Sequence, residues 1–277
     1  MNRIVPPIKS QGIKTKLAAW IASVVPPFAG RWIEPFVGTG AVAFNLAPQR
    51  ALLGDINPHA IGFYQAVAAG KITSEIAETY LRAEGDKLRT RGEAHYYAVR
   101  DRFNLRHDPL DFLFLNRACF NGMIRFNRSG AFNVPFCRKP NRFAPSYVTK
   151  IVHQIAAAAA LLKANAYVFA CQPFEQTLAG ATADDIVYCD PPYIGRYADY
   201  YNGWDEVCEH RLFDLLDGAP CRFILSTWHH NAHRSNGYVR ALWGKFPVLT
   251  KDHFYHVGAR ETNRNPMVEA LITNFAP

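Results

Sequence analysis

A strand that runs into two closely spaced glycines, then a helix, then a second strand limits this chain's fold more than any other feature. Residues 31–37 read as a short apolar strand, Gly38-Thr39-Gly40 as a turn, 41–46 as a helix and 51–57 as a second strand. Such a series is a βαβ unit, and parallel neighbours need a crossover of this kind, so the predicted fold is an α/β sheet with helices on its faces. Gly38 and Gly40 allow the positive φ and close backbone approach that a ligand needs at the carboxyl end of a sheet. Pro58 opens a further helix, where its missing N–H costs little. Apolar spacing predicts helices over 14–25, stopped by Pro26-Pro27, and over about 147–164. Strands are expected at 167–171, 185–189 and 222–226. Alternation stops near residue 70 and resumes near 165. Between them, 71–110 reads as helical and about 121–149 as mostly loop with a hairpin. The expected organisation is therefore one α/β domain from 1–70 and 150–277, with a smaller, mainly helical domain, 71–149, inserted.

The charge distribution points to a partner. The formal net charge is +8. No Asp or Glu occurs from Phe112 to Phe174, whereas Arg117, Arg125, Arg128, Arg138, Lys139, Arg142, Lys150 and Lys163 all fall there. These cations equal the whole net charge. A field of this kind attracts a polyphosphate, with affinity that falls as salt rises. Phe120, Asn121, Phe126, Asn127, Phe132, Asn133 and Phe136 are interleaved, and rings and amides of this kind can stack on bases and read their edges.

Apolar residues at 49% and charged residues at 19% fit a chain that buries a core. No apolar run is long enough for a spanning helix, and the first residues lack the apolar core of a signal peptide. The cysteines, Cys119, Cys137, Cys171, Cys189, Cys208 and Cys221, have no framework spacing and read as reduced thiols. A soluble cytoplasmic protein is expected.

Two motifs carry chemistry. The first is Glu34-Pro35-Phe36-Val37-Gly38-Thr39-Gly40, with Asp55 at the end of the next strand, where a carboxylate can accept both hydroxyls of a ribose. The third glycine of the dinucleotide fingerprint is missing, which suits a cofactor without a pyrophosphate, such as S-adenosylmethionine. The second is Asp190-Pro191-Pro192-Tyr193, directly after an apolar strand. An exocyclic amino group on a base is a poor nucleophile because its lone pair is conjugated into the ring. Asp190 and the Pro191 carbonyl can accept its two hydrogens and draw the nitrogen toward tetrahedral geometry. The prolines fix φ and remove N–H groups, and Tyr193 offers a face to an extruded base.

With these motifs the chain resembles the Dam-type (D12 class, class alpha) adenine-specific DNA methyltransferases. Further segments share the likeness: Lys9-Ser10-Gln11-Gly12-Ile13-Lys14, the run 115–136 through Asn116, Cys119, Asn121 and Arg125 to Phe136, and Cys171-Gln172-Pro173-Phe174. The resemblance implies a seven-stranded, Rossmann-like S-adenosylmethionine-dependent sheet with an inserted helical target-recognition domain. It implies methyl transfer to N6 of a flipped adenine in double-stranded DNA, with Asp190, Pro191, Pro192 and Tyr193 catalytic. The expected cofactor contacts are Ser10, Lys14, Glu34, Phe36, Gly38, Gly40, Asp55, Asn57, Phe174 and Asp190. The expected DNA contacts are Asn121, Arg125, Phe126, Asn127, Arg128, Arg138 and Lys139. The sequence departs from the family pattern at Ser10, where an aromatic is common, at Pro173, where many relatives carry Asp, at Ala131 and over 138–141.

Other readings stay open at this point. They are methylation of the cytosine amino group, methylation of RNA or a protein glutamine amide, and a non-catalytic DNA-binding relative. A monomer is expected, and a cognate restriction nuclease is a candidate partner. No metal is expected, and His229, His230 and His233 read as a polar loop or helix start. Tyr197, Tyr200, Tyr201 and Trp204 read as a lid. His253, Phe254, Tyr255, His256, Glu261, Thr262 and Asn263 suggest a last hairpin.

Overall fold

Among the described residues, seven strands form one sheet in the order β3-β2-β1-β4-β5-β7-β6. They are β1 (Trp32–Glu34), β2 (Arg50–Asp55), β3 (Ala166–Cys171), β4 (Ile186–Cys189), β5 (Arg222–Asn231), β6 (Val248–His253) and β7 (Met267–Thr273). The computed structural model describes residues 3–194, 203–253 and 267–276. The first five strands run parallel, while β7 pairs antiparallel with both β5 and β6. Both expectations, an α/β sheet and seven strands, hold. Every residue of β1 and β4 is buried, as strands covered on both faces require. Because β1 sits between β2 and β4, the chain leaves the sheet in opposite directions on either side of it. A crevice forms there, beyond the carboxyl ends of the strands.

Local chemistry sets the helices. α1 (Ala18–Val24) ends at an extended Val25 ahead of Pro26. The expected helix over 14–25 is divided: Lys14–Lys16 form a separate 3-10 turn whose Lys14 and Thr15 are buried by tertiary contacts. α2 (Ala41–Leu46) begins at Gly40, in the left-handed region. The Asn57 side chain accepts N–H bonds from His59 and Ala60 to cap α3 (Pro58–Ala68), and Thr73 caps α4 (Ser74–Arg91). Gly92 separates α4 from α5 (Glu93–Arg106), and Asp108 caps α6 (Pro109–Ala118). α7 (Pro145–Ala164), α8 (Phe174–Leu178), α9 (Glu206–Asp217) and α10 (Gly237–Ala241) follow. Phe126 and Phe132 form an antiparallel bridge, so the expected hairpin is present.

One continuous core joins Trp32, Leu53 and Tyr64 of the sheet side to Leu88, Phe103, Phe112 and Phe132 of the 71–149 segment. A second core, with Leu212, Phe223 and Trp243, covers the opposite face. Among the described residues no helix is long and apolar enough to cross a membrane.

Candidate active site

The glycine turn and the Asp-Pro-Pro-Tyr turn leave the sheet side by side, because β1 and β4 are paired neighbours with Ile33 opposite Val187. Gly38 has φ of +50° and a Cβ placed there would meet nothing within 4 Å, so its outer face is open. Gly40 has φ of +73° and lies against the Phe44 ring, 2.9 Å from where a Cβ would be. The first glycine therefore leaves room in the crevice, and the second lets α2 pack.

Asp55 ties the glycine turn to the loop that follows β2. Its Oδ2 accepts the Gly38 N–H at 2.8 Å and its Oδ1 accepts the Asn57 N–H at 2.9 Å. Each oxygen keeps a lone pair for a further donor. Burial pushes its carboxyl up from the ordinary value, while the hydrogen bonds from Asn57 and Gly38 oppose that. Phe36 and Phe174 stack at 5.5 Å, and Trp204 meets Phe36 edge-on at 5.3 Å. These features suit S-adenosylmethionine: an open glycine backbone, a carboxylate for ribose hydroxyls and an aromatic wall.

Asp190 lies immediately after β4 with its side chain 22% exposed, and Lys14 Nζ sits 3.0 Å from its Oδ1. The same ammonium donates to Tyr193 Oη at 2.7 Å. The Asp190 carboxyl is raised to about 6, by burial first and then by Glu269, against the opposing pull of the Lys14 ammonium. The Lys14 ammonium is thus the group that favours the charged form of Asp190 against burial. Glu34 is buried and accepts the Trp32 indole N–H at 2.6 Å. Burial raises its carboxyl to about 8.

The chain matches the D12 class N6 adenine-specific DNA methyltransferase family over residues 10–257. It belongs to that family. It is 28% identical over 279 residues to Type II methyltransferase M.FokI of Planomicrobium okeanokoites, covering 97% of this chain and 42% of that protein. Identity is 32% over 226 residues to the Retron Ec67 DNA adenine methylase of Escherichia coli, covering 76% of this chain and 71% of that one. It is 35% over 193 residues to the DNA adenine methylase of Haemophilus influenzae, covering 68% of this chain and 63% of that one. The chain therefore spans less than two thirds of two of these three proteins.

The remaining expected residues are distributed as follows. Ser10 Oγ donates to the neighbouring Gln11 carbonyl at 2.8 Å, and Asn57 caps α3. At Pro173, Gln172 donates to Thr177 Oγ1 at 3.1 Å. Arg125 donates to Asn133 Oδ1 at 2.7 Å, and Phe126 stacks on His59 at 4.9 Å. Asn127 Oδ1 accepts N–H groups of Ser129 and Ala131, which closes the hairpin turn. Asn121, Arg128, Arg138 and Lys139 are exposed, with Asn121 and Arg138 in the left-handed region.

Two sequence expectations change. Arg117 does not join an external basic field: it is 2% exposed, donates to the Pro7 carbonyl at 2.7 Å and bonds Gln154. His229 and His230 stand at the end of β5 rather than on a helix start, because β5 stays paired with β7 as far as Asn231. Among the described residues no group of three or more His, Cys, Asp or Glu could hold a metal. Of the expected lid only Trp204 is described; Tyr197, Tyr200 and Tyr201 lie outside the described residues. Phe254, Tyr255, His256, Glu261, Thr262 and Asn263 lie outside them as well, although β6 and β7 do pair as the arms of a last hairpin.

Sequence reading missed one site residue. Glu269 is wholly buried on β7, and its Oε2 accepts the Tyr193 hydroxyl at 2.9 Å. The available signal was an acid in the middle of the otherwise apolar Met267–Thr273 strand.

Proposed function

We propose that this chain transfers a methyl group from S-adenosylmethionine to the N6 amino group of an adenine extruded from duplex DNA. What supports this reading most is that Asp190, paired with Lys14, follows β4, the sheet neighbour of β1, whose own turn carries the open Gly38 held by Asp55. Membership of an adenine-specific family supports adenine over cytosine.

Asp55 and the backbone at Gly38 would hold the cofactor's ribose and amino-acid parts, with Phe36 and Phe174 lining its adenine. When bound, the cofactor supplies an electrophilic methyl group on a sulfonium. Asp190 accepts one amino hydrogen of the base and the Pro191 carbonyl the other, which localises the nitrogen lone pair. Tyr193 stacks on the base, and the proton released leaves through Asp190 to solvent. Residues 71–149 form the target-recognition part, with Arg128, Arg138 and Lys139 on phosphates or guanine edges and Phe126 entering the duplex once it leaves His59. The protein acts as a cytoplasmic monomer associated with the nucleoid. A restriction nuclease is its candidate partner, since one similar protein carries a Type II methyltransferase name.

The test is transfer of labelled methyl groups to DNA, followed by nucleoside analysis. N6-methyladenine supports the reading. N4-methylcytosine, or label in RNA or protein alone, overturns it.

A further inference from the structure

An acidic side chain in the middle of a fully covered strand is costly unless its charge is used. Glu269 is such a residue: it is 0% exposed, on a strand flanked on both sides by partners. It reaches the Asp-Pro-Pro-Tyr turn from across the sheet. Tyr193 Oη donates to Glu269 Oε2 at 2.9 Å, and the same oxygen lies 3.8 Å from Lys14 Nζ. The ammonium has only donors, so its 2.7 Å bond to Tyr193 uses the phenol oxygen as acceptor. That bond leaves the phenol proton for Glu269 and fixes the direction of the relay from Lys14 through Tyr193 to Glu269.

We propose that Glu269 is a positioning residue of the methyl-transfer site. It fixes the Tyr193 ring and shares the Lys14 ammonium with Asp190, so that the Asp190 carboxylate is left free to accept an amino hydrogen. The inference rests on the functional reading above and deepens it. An ammonium given wholly to Asp190 would make that carboxylate a weaker acceptor; a second carboxylate beside the ammonium limits this. Among the described residues, the charged and titratable groups that act electrostatically on Asp190 or feel it come from several elements: Lys14 from the N-terminal turn, Glu269 from β7, Glu34 from β1, and Tyr188 and Cys189 from β4. Among them, Lys14 lowers the Asp190 carboxyl and Glu269 raises it.

The test uses Glu269→Gln in the full chain, which keeps the shape and removes the charge. Single-turnover methyl transfer is measured against pH, with calorimetric cofactor affinity and thermal melting alongside. The rate is expected to fall roughly 10²-fold, as for a misplaced reacting group. The acidic limb of the profile is expected to move down by about one pH unit, because a like charge beside Asp190 is lost. An unchanged rate overturns the proposal. So does a rate that falls together with the melting temperature while the acidic limb stays in place, which is the signature of a merely structural residue. If Glu269→Gln does not fold, Tyr193→Phe at the half-buried turn decides. It breaks the Tyr193–Glu269 link and draws Lys14 toward Glu269, so the acidic limb should move up; an unmoved limb overturns the proposal. Wild-type protein that yields no methyladenine defeats the functional reading and this inference with it. Wild-type methylation with an unaltered Glu269→Gln profile defeats this inference alone.

Discussion

The crevice at the carboxyl end of the sheet and the acid-free stretch from 112 to 174 both concentrate charge, in opposite ways. In the crevice, charges of both signs are buried and joined, with Lys14 bridging Asp190, Tyr193 and Glu269. In the basic stretch the charges are of one sign, and they separate into two populations. Arg117 is interior, and Arg142 donates to the Arg117 carbonyl at 2.7 Å while lying over Tyr147 at 4.6 Å. Arg125 is tied to Asn133. Arg128, Arg138, Lys139, Lys150 and Lys163 are exposed. A run of like charge in sequence is therefore not a uniform surface field, whereas a buried mixed set is a built site.

The comparison can be broken most sharply at Asp190. Asp190→Ala should lower methyl transfer by about 10²–10⁴-fold while DNA binding by gel shift persists; wild-type transfer would remove Asp190 from the chemistry. Within the basic stretch, Arg117→Ala should destabilise the protein by about 3 kcal/mol in denaturant unfolding, since it strands buried acceptors. Arg128→Ala should change stability by less than about 0.5 kcal/mol. Equal losses would show that the two populations are one.

A third contrast uses pH. The Glu34 carboxyl, raised to about 8 by burial, is protonated in the folded protein, whereas the unfolded chain ionises above the ordinary 4.5. Its contribution to stability is complete below pH 4.5 and is lost as pH rises toward 8. Glu34→Gln should therefore gain on the order of 3 kcal/mol over wild type between pH 5 and 8, read from melting at each pH. A constant difference across that range would contradict a protonated Glu34. The smallest effect is expected at the surface. Arg138→Ala with Lys139→Ala should reduce the salt slope of DNA affinity by about 2, with melting unchanged.

Much of the fold was legible because its strands are short apolar runs punctuated by glycine and proline. Those signals place β1, β2, β3 and β4 within a few residues of their observed bounds. The Asp-Pro-Pro-Tyr turn was legible for the same reason, since Asp190 through Tyr193 are contiguous. The split of the first helix was not, because Lys14 is held by a partner 176 residues away in sequence, at Asp190. The continuation of β5 through His229 and His230 depends on pairing with β7, which no local pattern carries.

The sequence by itself determined the α/β alternation, the glycine turn, the Asp-Pro-Pro-Tyr segment and the family, since backbone freedom and contiguous motifs are local properties. Only the tertiary structure decided which charges work together. It sends Arg117 inward, leaves Arg128 and Lys139 outside, and brings Glu269 from the last strand onto Lys14 and Tyr193. The physical reason is that the free energy of a charge depends on the partners and the solvent around it, and strand order and packing set both.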